Sequence, residues 1–104
     1  MRLAEIDFSK YRQLRDSRLT DGSGRVCFIG ACALELGFRI EYCKILDNEG
    51  NVVPQKYLLG RFEEFAAEER PRVHYLWAAT VVMNDQLDKS FDEIRKMLLG
   101  RVCN

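Results

Sequence analysis

Through FSKYRQLRDSR, residues 8–18, Phe8, Tyr11 and Leu14 recur at three-residue steps while Lys10, Arg12 and Arg15 fall between them. That spacing lines up one face of a helix, so a first helix is predicted over 8–18. The next seven residues, LTDGSGR, hold two glycines with Asp and Ser. Glycine reaches positive φ cheaply and short polar side chains bond nearby backbone, so the chain should turn there. VCFIGACALEL, residues 26–36, is apolar nearly all round and ends at Gly37. This predicts a central buried helix over 27–36, stopped by a left-handed glycine. Its small residues Gly30, Ala31 and Ala33 predict a neighbouring helix crossing close over this point.

From Phe38 to Val53 the pattern becomes an alternation that would put Phe38, Ile40 and Tyr42 on one face. The segment Asp47-Asn-Glu-Gly50 offers a turn, so a β-hairpin is predicted, although Phe38, Tyr42 and Ile45 also satisfy helical spacing. YLLGRFEEFAAEE, residues 57–69, sets Leu58, Phe62, Phe65 and Ala66 opposite Arg61, Glu64 and Glu68, predicting an amphipathic helix despite Gly60. Pro71 then punctuates the chain and suits the first turn of a new helix over 72–83. VHYLWAATVVM is apolar on almost every side, which predicts a second buried helix; its Val and Thr residues also suit a strand. Asn84-Asp85-Gln86 ends that run, and Ser90 with Glu93 forms a capping box that starts a last helix. Phe91, Ile94 and Leu98 form its buried face, with Arg95 and Lys96 suited to the negative end of the helix dipole. The expected fold is α+β: a mostly α-helical single domain, residues 1–104, with a small β-hairpin and helices 27–36 and 72–83 at its core.

Composition agrees with one folded core, since 47% of the 104 residues are hydrophobic and 31% charged. A domain this small has a thin stability margin, to which a homodimer contact would add. Sixteen basic and sixteen acidic residues are mixed along the chain. The only basic enrichment is Arg12, Arg15, Arg18 and Arg25, too modest for the clustered charge that phosphate backbones require, so nucleic acid is not an expected partner. No apolar stretch has the length of a membrane span, and MRLAEIDFSKYRQLRD lacks the apolar centre of a signal peptide, which leads us to expect a cytoplasmic protein without a membrane partner. Cys27, Cys32, Cys43 and Cys103 form no C-x-x-C pair, so reduced thiols are the simpler expectation.

Candidate chemistry is sparse. D-G-S-G lacks the spacing and lysine of a phosphate-binding loop, and the segment after Asp47 lacks the carboxylates of a calcium loop. His74 is the sole histidine and no cysteines have zinc-ligand spacing, so neither a metal nor another cofactor is expected. Cys27 falls near a helix start, where the dipole and Arg25 would lower its thiol pKa. The base and orienting group that cysteine catalysis needs would come from His74 with Asn84 or Asp85. The catalytic candidates are therefore Cys27, His74 and Asp85. Asn84 and Asp85 also suit helix capping or a buried polar network, and with the charged stretch from Arg61 to Arg72 they would line a ligand surface. Asn84, Asp85 and Arg61 are the binding candidates.

The segments Gly24-Arg-Val-Cys27-Phe-Ile-Gly30-Ala31 and Asn84-Asp85, followed by a helix with Phe91 and Ile94, resemble a small family of helical proteins from bacteria and phages. That family carries a G-x-x-C-x-x-G-A motif early and an N-D pair before its last helix. The resemblance covers about half the chain. It implies a helical fold in which the Cys27 helix packs on the Asn84 turn, and it supplies no activity; the segment from Phe38 to Val53 departs from it. With no convergent catalytic set, the leading expectation is a non-enzymatic binding or accessory protein, phage-borne and docking on a larger host protein. The alternatives are a cysteine-dependent enzyme using Cys27 with His74 and Asp85, and a small-ligand sensor.

Overall fold

The computed structural model describes residues 1–102, with side chains through Gly100; Cys103 lies outside them. The fold is α+β. Two short 3-10 turns, Leu3–Glu5 and Phe8–Lys10, lead into strand β1 (Arg12–Gln13), which pairs in parallel with β2 (Arg25–Val26). Helix α1 (Phe28–Glu35) follows directly, then an antiparallel sheet of β3 (Arg39–Glu41), β4 (Lys44–Leu46) and β5 (Val52–Val53). Two 3-10 segments, Gln55–Arg61 and Glu63–Phe65, precede helices α2 (Arg70–Asp85) and α3 (Phe91–Val102).

Local chemistry explains the well-defined ends. Helix α1 is capped by Cys27, whose sulfur accepts the Gly30 N–H, and it closes with Phe38 N–H on the Ala33 carbonyl and Gly37 N–H on the Leu34 carbonyl. Gly37 has φ +87°, so this is the left-handed glycine stop that the sequence suggests. Ser90 and Glu93 exchange side-chain and backbone bonds at the start of α3, as a capping box should. Phe91, Ile94 and Leu98 are buried. Phe8, Phe28 and Phe91 meet with ring centroids 5.2 to 6.2 Å apart and tie the N-terminal segment to α1 and α3.

Several elements differ from expectation. No helix covers 8–18: after Phe8–Lys10 the chain is extended, and Leu14 N–H bonds the Val26 carbonyl at 2.8 Å. Phe8 and Leu14 are buried as their spacing requires, but a 3-10 turn followed by a strand reaches the same positions. Over 57–69 the amphipathic helix is replaced by the two 3-10 segments, broken at Phe62, which is extended at φ −87°, ψ 147°. Leu58, Leu59, Phe62 and Phe65 are all buried; steps of three suit the tighter 3-10 winding, and Ala66 lies exposed instead.

The hairpin is present with a third strand added. The turn at Asp47–Gly50 joins β4 to β5, its Asp47 carboxylate accepting the N–H groups of Glu49 and Asn51 at 2.9 Å. The β3–β4 connection is made by Tyr42 and Cys43, both at positive φ, so Tyr42 leaves the Ile40 face and stands 94% exposed. Helix α2 is longer than 72–83 at both ends and is not buried all round. Val73, Leu76, Thr80 and Met83 face the core, while Tyr75, Ala78 and Val82 are exposed. What crosses closely over Gly30 is the backbone of the Leu19 loop, not a helix: a Cβ there would lie 2.6 Å from the Leu19 carbonyl oxygen. Arg95 is not a dipole partner either. Its guanidinium lies over the Phe8 ring, donates to the Ile6 carbonyl and pairs with Asp92. Among the described residues no helix is long and apolar enough to cross a membrane.

Candidate functional site

The N-terminus of α1, the Ser17–Leu19 loop and the C-terminal half of α2 enclose a cleft of about 250 Å³. Leu19, Phe28, Ile29, Trp77 and Val81 supply apolar walls; Ser17, Arg18, Cys27, Gln55, Thr80, Asn84 and Asp85 supply the polar ones. The loop bends sharply at a left-handed residue and is braced by a local ion pair. Ser17 is a non-glycine residue at φ 70°, and Arg18 turns back to chelate Asp16 through bonds of 2.5 to 3.1 Å.

Asn84 organises the floor. It lies in the last turn of α2, only 2% exposed, and its amide is fully used. Its oxygen accepts from Gln13 Nε2 at 2.8 Å and from the Phe28 N–H at 3.2 Å. Its nitrogen donates to the Leu14 carbonyl and to Asp85 Oδ1, each at 2.7 Å. One side chain thus ties α2 to β1, to the strand exit at Leu14 and to the first N–H of α1, one of the donors that a helix start leaves without an intrahelical acceptor. Gln13 and Arg15 extend the network: Gln13 also donates to the Lys89 carbonyl, and Arg15 reaches the Asn84 carbonyl, Gln13 Oε1 and Asp88.

Cys27 and Asp85 therefore line one cleft beside Asn84. His74 does not line it. Eleven residues before Asp85 on the same helix, it stands about 16 Å away along the axis at 1.5 Å per residue, between the rings of Tyr57 and Trp77. Arg61 does not line it either; its guanidinium lies 5.3 Å from the centre of the Phe38 ring, beside a different depression near Gly60 and Val73. The Cys27 thiol is not activated as its helix position suggests. Burial pushes its pKa up, with the nearby Asp85 carboxylate adding to the rise, and the N–H groups of Gly30 and Ile29 offset this only in part. Arg25, expected to assist, is paired with Asp21 at 2.6 Å. Cys32 is fully buried and Cys43 exposed; both are free thiols, as is Cys27. Among the described residues, no three His, Cys, Asp or Glu side chains gather with the spacing of a metal site.

Trp77, Thr80, Gln55 and the Ser17–Arg18 bend belong to the cleft and escaped the sequence reading. Trp77 is the one tryptophan of the chain and its indole N–H is buried without an acceptor among the described residues, a cost that a residue placed only for packing usually avoids. Comparison with protein-family models, curated proteins and solved structures finds no match to this chain.

Proposed function

We propose that this chain is a non-enzymatic binding protein of the cytoplasm that takes a ligand in the cleft between α1 and α2. The convergence of four separate segments on an open cavity with apolar walls and a fixed polar floor carries this reading, since ligand sites combine those features. Two further observations favour binding over cysteine chemistry. Burial raises the pKa of the Cys27 thiol above its ordinary value, and the imidazole of His74 packs between Tyr57 and Trp77 without lining the cleft. The unpaired thiols of Cys27, Cys32 and Cys43 suit a reducing compartment.

Two measurements test the reading. A ligand screen followed by melting temperature should find compounds that stabilise the wild-type protein and not a variant with Val81→Trp filling the cleft. Iodoacetamide at neutral pH should modify exposed Cys43 well before Cys27; rapid, selective alkylation of Cys27 would return the cysteine-dependent enzyme to first place. A second reading, docking on a larger host protein, draws on the apolar face where Tyr75, Val82, Leu87 and Met97 are each 39–53% exposed. Affinity capture with wild type and with Val82→Lys/Leu87→Lys separates it from the first: a partner lost only from the double variant supports docking through this face.

A further inference from the structure

The charges around the cleft do not cancel. Among the described residues Arg18 is the only cationic side chain lining it, and its guanidinium is chelated by Asp16. Arg15 lies just behind the floor, occupied by Asp88, Gln13 and the Asn84 carbonyl, and makes no ion pair with Asp85. The Asn84 amide is saturated and the Cys27 thiol neutral. That leaves the half-buried Asp85 carboxylate, which accepts one bond from Asn84 and has no cationic partner among the described residues. Apart from the Arg18–Asp16 pair, the rest of the lining is apolar or neutral and hydrogen-bonding, and Trp77 places an aromatic ring system at its wall.

We propose that the cleft takes an organic cation, an amine carried on an aromatic or aliphatic body, with Asp85 holding the charge and Phe28, Ile29, Trp77 and Val81 enclosing the body. A carboxylate in a partly dehydrated site holds an ammonium group by a charge-assisted hydrogen bond, while the apolar walls two turns back along α2 take the body that carries it. The same carboxylate repels anions of equal shape, which gives the site a sign preference as well as a size limit. This rests on the cleft being the binding site.

The sole tryptophan makes the cleft its own reporter. Trp77 fluorescence and melting temperature are followed while the intact protein is titrated with three probes of one shape: phenethylamine, 2-phenylethanol and 3-phenylpropionate. The amine should bind at least tenfold more tightly than the alcohol, and the carboxylate should not bind. Asp85→Asn should erase the advantage of the amine and leave the alcohol unchanged, whereas Asp85→Glu should keep part of it. Equal binding of amine and alcohol to the wild-type protein overturns the cation inference and leaves the cleft reading standing. Failure of all three probes to change either signal overturns the inference, and if the wider ligand screen also fails, the cleft reading falls with it. The comparison among probes on the wild-type protein does not depend on how either variant folds.

Discussion

Replacing Asn84 tests the centre of this structure, because its four hydrogen bonds join segments that are otherwise far apart in sequence. In Asn84→Ala, Gln13 keeps the Lys89 carbonyl as a partner, but the Phe28 N–H and the Leu14 carbonyl lose theirs. A buried polar group left unsatisfied costs roughly 1–3 kcal/mol, and two such groups beside a cleft that admits some water should cost about 3 kcal/mol in all. For a domain of this size that corresponds to a fall in melting temperature of about 15 °C. Asn84→Asp makes a sharper case. The shape and both acceptor bonds survive, while a carboxylate oxygen replaces the NH2 group that faced the Leu14 carbonyl and Asp85 at 2.7 Å. Two acceptors then confront one another, so the folded state raises the pKa of the new aspartate, and proton uptake restores a donor.

The sign follows from linkage. A carboxylate whose folded pKa is raised is destabilising above that value, and the penalty fades as pH falls towards its unfolded value near 4. Urea denaturation at pH 7 and pH 5 is the assay. Asn84→Asp should lie well below wild type at pH 7 and recover part of the difference at pH 5, while the deficit of Asn84→Ala should change little between them. A loss below about 1 kcal/mol in Asn84→Ala, or an Asn84→Asp deficit independent of pH, would refute the assigned network.

Other consequences are simpler to state. Gly30→Ala drives a methyl group into the Leu19 carbonyl, which also accepts the Cys27 N–H; overpacking of about 1–3 kcal/mol should exceed the gain of about 1 kcal/mol in helix propensity and lower the melting temperature. Gly100→Ala, on an exposed face of α3 with open space around it, should instead raise stability by about 0.5 kcal/mol in the same assay. Glu64 accepts the N–H groups of Leu3 and Ala4 at 2.7 and 2.8 Å; burial raises its pKa, but these bonds outweigh it and leave the carboxyl below its ordinary value. Its contribution is therefore present above the ordinary value of 4.5 and lost as pH falls through the lowered one, so Glu64→Gln should weaken the protein at pH 7 and show a smaller deficit in an acid titration followed by circular dichroism.

These positions also separate what the sequence could disclose from what it could not. The glycine stop at Gly37, the capping box at Ser90 and the turn after Asp47 are local devices, in which neighbouring residues satisfy each other's backbone groups, so a short window of sequence contains the whole cause. The mistaken helices over 8–18 and 57–69 have the opposite origin. Most of their apolar positions do face the core, with Ala66 the exception, but distant partners take part in setting the backbone: Val26 for Leu14, Asn84 for Gln13, and Met1, whose carbonyl accepts the Glu63 N–H. Periodicity near three cannot distinguish an α-helix from a 3-10 turn joined to a strand when the deciding hydrogen bond lies elsewhere.

The same distinction explains the cleft. Cys27 and the Asn84-Asp85 pair stood out because each sits at a helix end, where side chains complete the hydrogen bonding of the backbone, and the two ends meet: Asn84 caps the Phe28 N–H while Cys27 caps Gly30. The G-x-x-C-x-x-G-A pattern is accounted for position by position by that junction, with Gly24 at φ +96°, Cys27 as cap, Gly30 against the Leu19 backbone and Ala31 fully buried. None of those roles requires Trp77 or an unpaired Asp85. A packing motif would be equally well served by an apolar residue at 77 and by a carboxylate neutralised in the manner of Asp16, Asp21 and Asp92. It is the surplus at these two positions, a buried indole N–H without an acceptor and a half-buried carboxylate without a cation among the described residues, that turns a structural junction into a candidate binding site.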